Sequence, residues 1–252
     1  MSVITKILKV PVLKNPVMIC GLPGSGHVAK LSLDYLIQEL KAELFAHLVS
    51  FSFPPQVNIL SDGSVDILKS SMYYWENKDG ENDLILYTGD AQPITPEAEY
   101  ELSDKVTEIG KKIGVKTLFT LAAFIIGRFV DKPRVYGTAT DQMALRELEK
   151  YDVILMNEGT ITGMNGLLVG FAKLKDMRGI CLLGETSGYI LDPKSSYSVL
   201  QILTKMLKLN VDLSNLEKRA KETTAVIKGL QELQRRSEAQ QKGTKEDLGY
   251  IS

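Results

Sequence analysis

Residues 17–44 read VMICGLPGSGHVAKLSLDYLIQELKAEL, and this stretch decides the fold class. Val17–Cys20 is a short apolar run closed by the glycine turn Gly21–Gly26. Beyond it Val28, Leu31, Leu36, Leu40 and Leu44 recur at helical intervals. A second apolar run at about Leu44–Val49 completes a strand, turn, helix, strand unit, and such units are normally right-handed with parallel strands.

Outward from this unit the texture first changes and then resumes. Val57–Leu60 and Val65–Leu68 flank Ser-Asp-Gly-Ser, the signature of a β-hairpin, and Ser71–Asn77 reads as an extension of that β region. Strand and helix then alternate. Strands are predicted at Asp83–Thr88, Lys116–Ala122, Arg134–Thr138, Asp152–Met156 and Arg178–Leu183. Helices are predicted from Pro96, over Asp141–Lys150, over Gly163–Leu174 and over Ser195–Leu209, with Pro96, either Thr140 or Asp141, and Asp192-Pro193 as start signals. The expected architecture is one α/β domain over 1–209, with a doubly wound, mostly parallel sheet, a β-hairpin insertion and a C-terminal helix.

After Asn210 glycine nearly vanishes and Lys, Glu and Gln dominate. Leu213, Leu216, Ala220, Thr223, Ile227 and Leu230 step by three and four, a narrow seam over 210–236. Such a seam joins copies of the chain or packs back on its own domain. Residues 237–252 are polar and turn-rich up to Leu248-Gly249-Tyr250-Ile251-Ser252, and read as a flexible tail.

Composition narrows the function. The chain has 252 residues, 44% hydrophobic and 24% charged, which is ordinary globular material. Thirty Lys and Arg against 31 Asp and Glu give a net charge of −1, so no broad positive field exists to gather nucleic acid or an anionic membrane. Even LFTLAAFIIG stops at Arg128, short of the roughly 18 apolar residues of a membrane span. The opening MSVITKILKVPVLKNP, broken at Pro11 and Pro16, lacks the core of a secretory leader. Cys20 and Cys181 lie far apart, without zinc spacing or a disulfide framework. A soluble, cytoplasmic protein is expected, with no metal, no cofactor, no nucleic acid and no membrane partner.

Chemistry-bearing residues are sparse. The glycine turn lies where backbone amides and a helix dipole can hold an anion. Against the phosphate-loop pattern, however, it has His27 and Val28 where lysine and a hydroxyl residue belong, and it does not match GxGxxG. His27 and His47 are the sole imidazoles and read as structural, and Ser25 is not in a GxSxG elbow. Asp90, Glu158 and Glu185 follow strands and could gather at the sheet edge for acid–base work or Mg²⁺, or simply cap helices and hold loop amides. Arg128, Lys132 and Arg134 are the nearest candidates to meet a phosphate. An enzyme of nucleotide or phosphate chemistry, ligase or phosphorylase-like, is therefore the alternative to a protein that only binds.

Four runs in order, MICGLPGSGHVAKLSLDYLIQELKAELFA, LILYTGDAQP, NEGTITGMNGLLVGFA and GETSGYILDPKSS, span about 20–200 and resemble the proteasome assembly chaperone family, its archaeal homologues in particular. The resemblance implies a nucleoside-phosphorylase-like fold without catalytic apparatus. It also implies binding to proteasome α subunits without ATP, and homo-oligomers of four or five copies, with a paralogue as a possible further partner. The family docks through a C-terminal hydrophobic–tyrosine–any-residue tail. Leu248, Tyr250, Ile251 and Ser252 are the corresponding partner-binding candidates, although Tyr250 is third from the end rather than second and Gly249 precedes it. Leu213, Leu216, Ala220, Ile227 and Leu230 are the oligomerisation candidates. A scaffold of the same fold serving another partner is the remaining alternative.

Overall fold

The computed structural model describes residues 3–227 and 229. At its centre lies β2 (Val17–Cys20), buried throughout and flanked in parallel by β7 (Leu84–Gly89) and β8 (Thr117–Ile125). Beside β8, also parallel, is β11 (Arg178–Thr186). Strands covered on both faces carry no polar alternation, which is why VMIC and LILYTG are almost wholly apolar.

Alternate side chains of β2 feed two cores. Val17 and Ile19 point into one with α1 (Val28–Leu40) and α5 (Pro193–Leu207), through Leu33, Leu36, Val199 and Leu203. Met18 and Cys20 point into the other with α2 (Pro96–Ile113) and α4 (Met164–Leu174), through Leu102, Val106, Met164 and Leu168. This is the doubly wound arrangement. Helix starts follow the expected chemistry: Pro96 opens α2, Asp141 accepts from the Ala144 amide at 2.9 Å to cap α3 (Gln142–Leu148), and Asp192 accepts from Ser195 at 3.0 Å.

The full nine-stranded order is β1-β3-β6-β7-β2-β8-β11-β9-β10. Three features depart from the sequence reading. β3 (Glu43–Ser50) is not the neighbour of β2, because β6 (Ser70–Trp75) and β7 stand between them, β6 antiparallel to both β3 and β7. β9 (Val135–Ala139) runs antiparallel to β11 and carries β10 (Ile154–Leu155) on its outer edge. The N-terminal segment supplies β1 (Val3–Ile7), antiparallel to β3. The parallel character thus belongs to the centre of the sheet and the flanks are mixed.

The hairpin insertion forms as expected, from β4 (Val57–Ile59) and β5 (Val65–Ile67), as a separate two-stranded sheet. Its Ser61-Asp62-Gly63 loop closes with Gly63 at φ 81°, and Asp62 Oδ1 accepts from the Ser64 amide at 2.9 Å. Among the described residues no helix is long and apolar enough to cross a membrane.

Candidate functional site

The carboxyl ends of β2, β7, β8 and β11 converge on the glycine turn. Gly21 lacks the Cβ that would lie 2.5 Å from the Ala29 carbonyl oxygen, so β2 and α1 can close on one another. Gly26 sits at φ 61°, where an added Cβ would meet Thr186 Oγ1 at 2.7 Å. The turn is stitched on both sides. Asp192 N donates to the Gly26 oxygen at 2.9 Å, and Gln92 Nε2 donates to the Pro23 oxygen at 2.6 Å. Gln92 Oε1 in turn accepts from the Met164 amide at 2.8 Å, so one side chain ties the glycine turn to the start of α4. His27 takes a left-handed conformation at φ 50° and faces solvent.

Beside the turn opens a crevice of about 590 Å³ bordered by Ser25, Gln92, Phe124, Thr162 and Asn165. Glu99 forms part of its wall, and burial raises its carboxyl above the ordinary range. Among the described residues lining it there is no Lys, Arg or His, so a phosphate would meet no counter-charge.

The predicted carboxylate cluster does not assemble. Asp90 is exposed and accepts from the Lys69 amide at 3.0 Å, and Glu158 is exposed above a separate recess with Thr138 and Met156. Glu185 is buried at 2% exposure and wholly engaged. Arg134 gives it Nη2 at 2.6 Å, Nε at 2.9 Å and its backbone amide at 3.0 Å, and the Tyr136 hydroxyl donates at 3.2 Å. Tyr136 also stacks on Phe124 at 4.2 Å. Burial pushes the Glu185 carboxyl up, but these donors outweigh it and hold it below its usual value. Among the described residues no group of three His, Cys, Asp or Glu can hold a metal ion. Cys20 and Cys181 are buried, which raises both thiols, Cys181 to about 12. His47 is half-buried, its Nδ1 2.9 Å from Ser71 Oγ, and burial together with Lys69 lowers its pKa.

The role of Glu185 is thus to clamp β11 to the start of β9. Replacing it with alanine is expected to cost about 1–3 kcal/mol, the price of leaving buried donors without an acceptor. Because its pKa is depressed in the folded state, its contribution is present above the unfolded value of about 4.3 and disappears as pH falls through the folded value. Urea melts at pH 7 and in the acid limb check this: the deficit of Glu185→Ala narrows on acidification, and a constant deficit would contradict it.

The seam candidates turn inward. A sixth helix, α6, spans 214–227. Leu216 and Ala220 are buried at 2% and 5%, Leu216 inside the core cluster of α1 and α5, with Leu213 packed against it. Thr223 and Ile227 line a cavity of about 150 Å³ with Phe129, Val130, Ile190 and Leu191 of their own domain. Within the chain, Leu216 covers one end of the α1–α5 face and Ala220 borders the same cavity as Thr223 and Ile227. Leu230 lies outside the described residues, as do Leu248, Tyr250, Ile251 and Ser252. Gln92, Asn165 and the Arg134–Tyr136 pair were not singled out as a group, because their partners are remote in sequence; GDAQP carried the only local hint.

A family model described as the PAC2 family matches residues 18–231. The chain belongs to the PAC2 family. An uncharacterized protein of Methanocaldococcus jannaschii is 32% identical over 250 residues, covering 98% of this PAC2 chain and 96% of the relative. Among solved structures, Pyrococcus furiosus PbaB, an archaeal proteasome activator, superposes with a TM-score of 0.85 at 36% identity, over 91% of this chain and 99% of that one. Pyrococcus furiosus PbaA, an archaeal homolog of proteasome-assembly chaperone, gives 0.75 at 28% identity over 98% and 99%. The PAC2 membership accounts for the four sequence runs: their glycines serve the turn, the close approach to α1 and the start of α4.

Proposed function

We propose that this PAC2 protein is a cytoplasmic, homo-oligomeric, non-enzymatic binding protein that associates with proteasome α subunits, in assembly or activation, without ATP. The observation that carries the reading is the likeness to PbaB over nearly the whole domain at 36% identity. The site geometry supports it from the other side. The glycine turn is tied down by Asp192 and Gln92, the crevice lining holds no cation among the described residues, and Glu185 is committed to Arg134.

Contact with the α subunits is made by the C-terminal tail. Leu248 and Ile251 supply apolar anchors, Tyr250 a ring with a polar tip, and Ser252 the terminal carboxylate for a lysine. Several tails on one oligomer offset the weakness of a single displaced tyrosine through effective concentration. The test is capture of purified α subunits by the full chain and by the chain lacking Gly249–Ser252. Full-length protein is expected to retain α subunits and the shortened chain to bind about tenfold more weakly, roughly 1.4 kcal/mol. Equal binding removes the tail from the mechanism, and no capture by either overturns the function.

A further inference from the structure

Among the described residues that line the crevice beside the glycine turn, Glu99 alone is charged. It sits half-buried on the first turn of α2. Burial by itself raises its carboxyl, and among the described residues no donor and no cation opposes that shift. The contrast is with Glu185, whose buried charge is met by Arg134. Asn165, at the start of α4, borders the same crevice at 7% exposure, and its Oδ1 has no hydrogen-bond partner among the described residues. A buried acceptor without a donor is costly to keep. Turning the amide about its last bond brings that oxygen to the crevice and breaks no bond that it makes. The crevice thus holds two acceptors without donors, one of them charged.

The rest of the wall sets the shape of a guest. Phe124, its ring stacked on Tyr136 at 4.2 Å, forms an apolar side with Ala122, Met156, Ile161 and Leu183. The volume of about 590 Å³ is that of a pocket for a small organic molecule. The amides that open α4 do not offer an anion site in competition: Met164 N donates to Gln92 Oε1 at 2.8 Å, and Gly166 N and Leu167 N both donate to the Gly163 oxygen at 3.1 Å. We infer that the crevice binds a small arylalkyl ammonium compound carrying a second hydrogen-bond donor. The ammonium donates to Glu99, the second donor meets Asn165, and the ring lies against Phe124. An anion would be repelled by Glu99, and a neutral guest would leave that charge unpaired. This site goes beyond the binding of α subunits proposed above and does not rest on it.

The test is isothermal titration calorimetry of the full chain at neutral pH with probes of one shape: tyramine, tyrosol, which has a hydroxyl in place of the ammonium, and phloretate, which has a carboxylate there. Tyramine is expected to bind about tenfold more tightly than tyrosol, and phloretate more weakly than either. Glu99→Gln should erase the preference for tyramine. Glu97→Gln removes the same charge from the same turn of α2, outside the crevice, and should keep it. Asn165→Leu should weaken tyramine about threefold. No binding of tyramine to the wild type, equal binding of tyrosol, or a preference that survives Glu99→Gln overturns the site. Loss of the preference in Glu97→Gln means attraction to surface charge in general, and the inference falls. It falls as well if Asn165→Leu binds tyramine like the wild type, since the second donor then has no acceptor there. Acetyl-lysine methylamide binding as tightly as tyramine would make the guest a lysine presented by a partner, which also overturns it.

Discussion

Leu216→Ala is expected to release α6 from the domain at a cost of about 2–4 kcal/mol, with the sheet left intact. Leu216 is 2% exposed and sits in the core cluster of α1 and α5, so truncation loses its transfer free energy and leaves a cavity. What makes the loss local is how little else holds the helix. Before it, Tyr35 donates its hydroxyl to the Asp212 oxygen at 2.7 Å, and Asp212 Oδ1 accepts from the Ser214 amide at 2.9 Å. After it, Ala220 is the other buried side chain of the helix, and alanine contributes little area. A helix of this length has no stability of its own in water, so once Leu216 no longer anchors it, it opens without waiting for global unfolding. Amide exchange should therefore accelerate over 214–227 while β2 and β8 keep their protection. Light scattering should give the wild-type mass, since the side chain faces its own domain. Unchanged exchange over α6 would refute the anchoring, and a drop in mass would return the seam to the interface between copies.

That helix marks where sequence reading stops. A step of three and four says which face is apolar and nothing about what covers it, and the cover proved to be the chain's own α1–α5 face. Where a feature is decided by neighbours in sequence, it was legible: the Ser-Asp-Gly-Ser hairpin, the Pro96 start, the Asp141 and Asp192 caps, and the apolar strands of the doubly wound centre. Where it is decided by partners remote in sequence, it was not. β3 looks like the natural neighbour of β2, yet β6 and β7 stand between them, an order set by pairings between strands remote in sequence. β9 gives no sign of running antiparallel, and without that pairing the meeting of Arg134 with Glu185 is invisible. Asp90, Glu158 and Glu185 looked equivalent in sequence as acidic residues after strands. Only burial and partners separate the engaged one from the two in solvent.

The glycines of TGMNGLLVG give the second large effect, and they separate two causes that a sequence cannot. In a helix, Gly→Ala is worth about 1 kcal/mol in favour of alanine where the site is open. Gly170 is such a site, exposed on α4 with nothing within 4 Å of an added Cβ, so Gly170→Ala should stabilise by up to about 1 kcal/mol. Gly166, one turn earlier, is the reverse. A Cβ there would lie 2.1 Å from the Ile161 oxygen and 2.8 Å from its carbonyl carbon, main-chain atoms that cannot rotate aside. The 159–163 loop crosses the first turn of α4 at this point, with Gly159 and Gly163 at φ 126° and 72°. Relief requires moving that loop or the helix start, and the helix start is where Gln92 holds the Met164 amide while holding Pro23 of the glycine turn. Overpacking against a fixed main chain costs about 3 kcal/mol, which exceeds the propensity gain, so Gly166→Ala is destabilising by about 2 kcal/mol or more. Denaturant melts of the two single variants decide the matter, because propensity alone predicts the same sign for both and steric contact predicts opposite signs. A Gly166→Ala chain as stable as wild type would mean the loop yields freely, and the Gln92 tie between the glycine turn and α4 would then hold nothing in place.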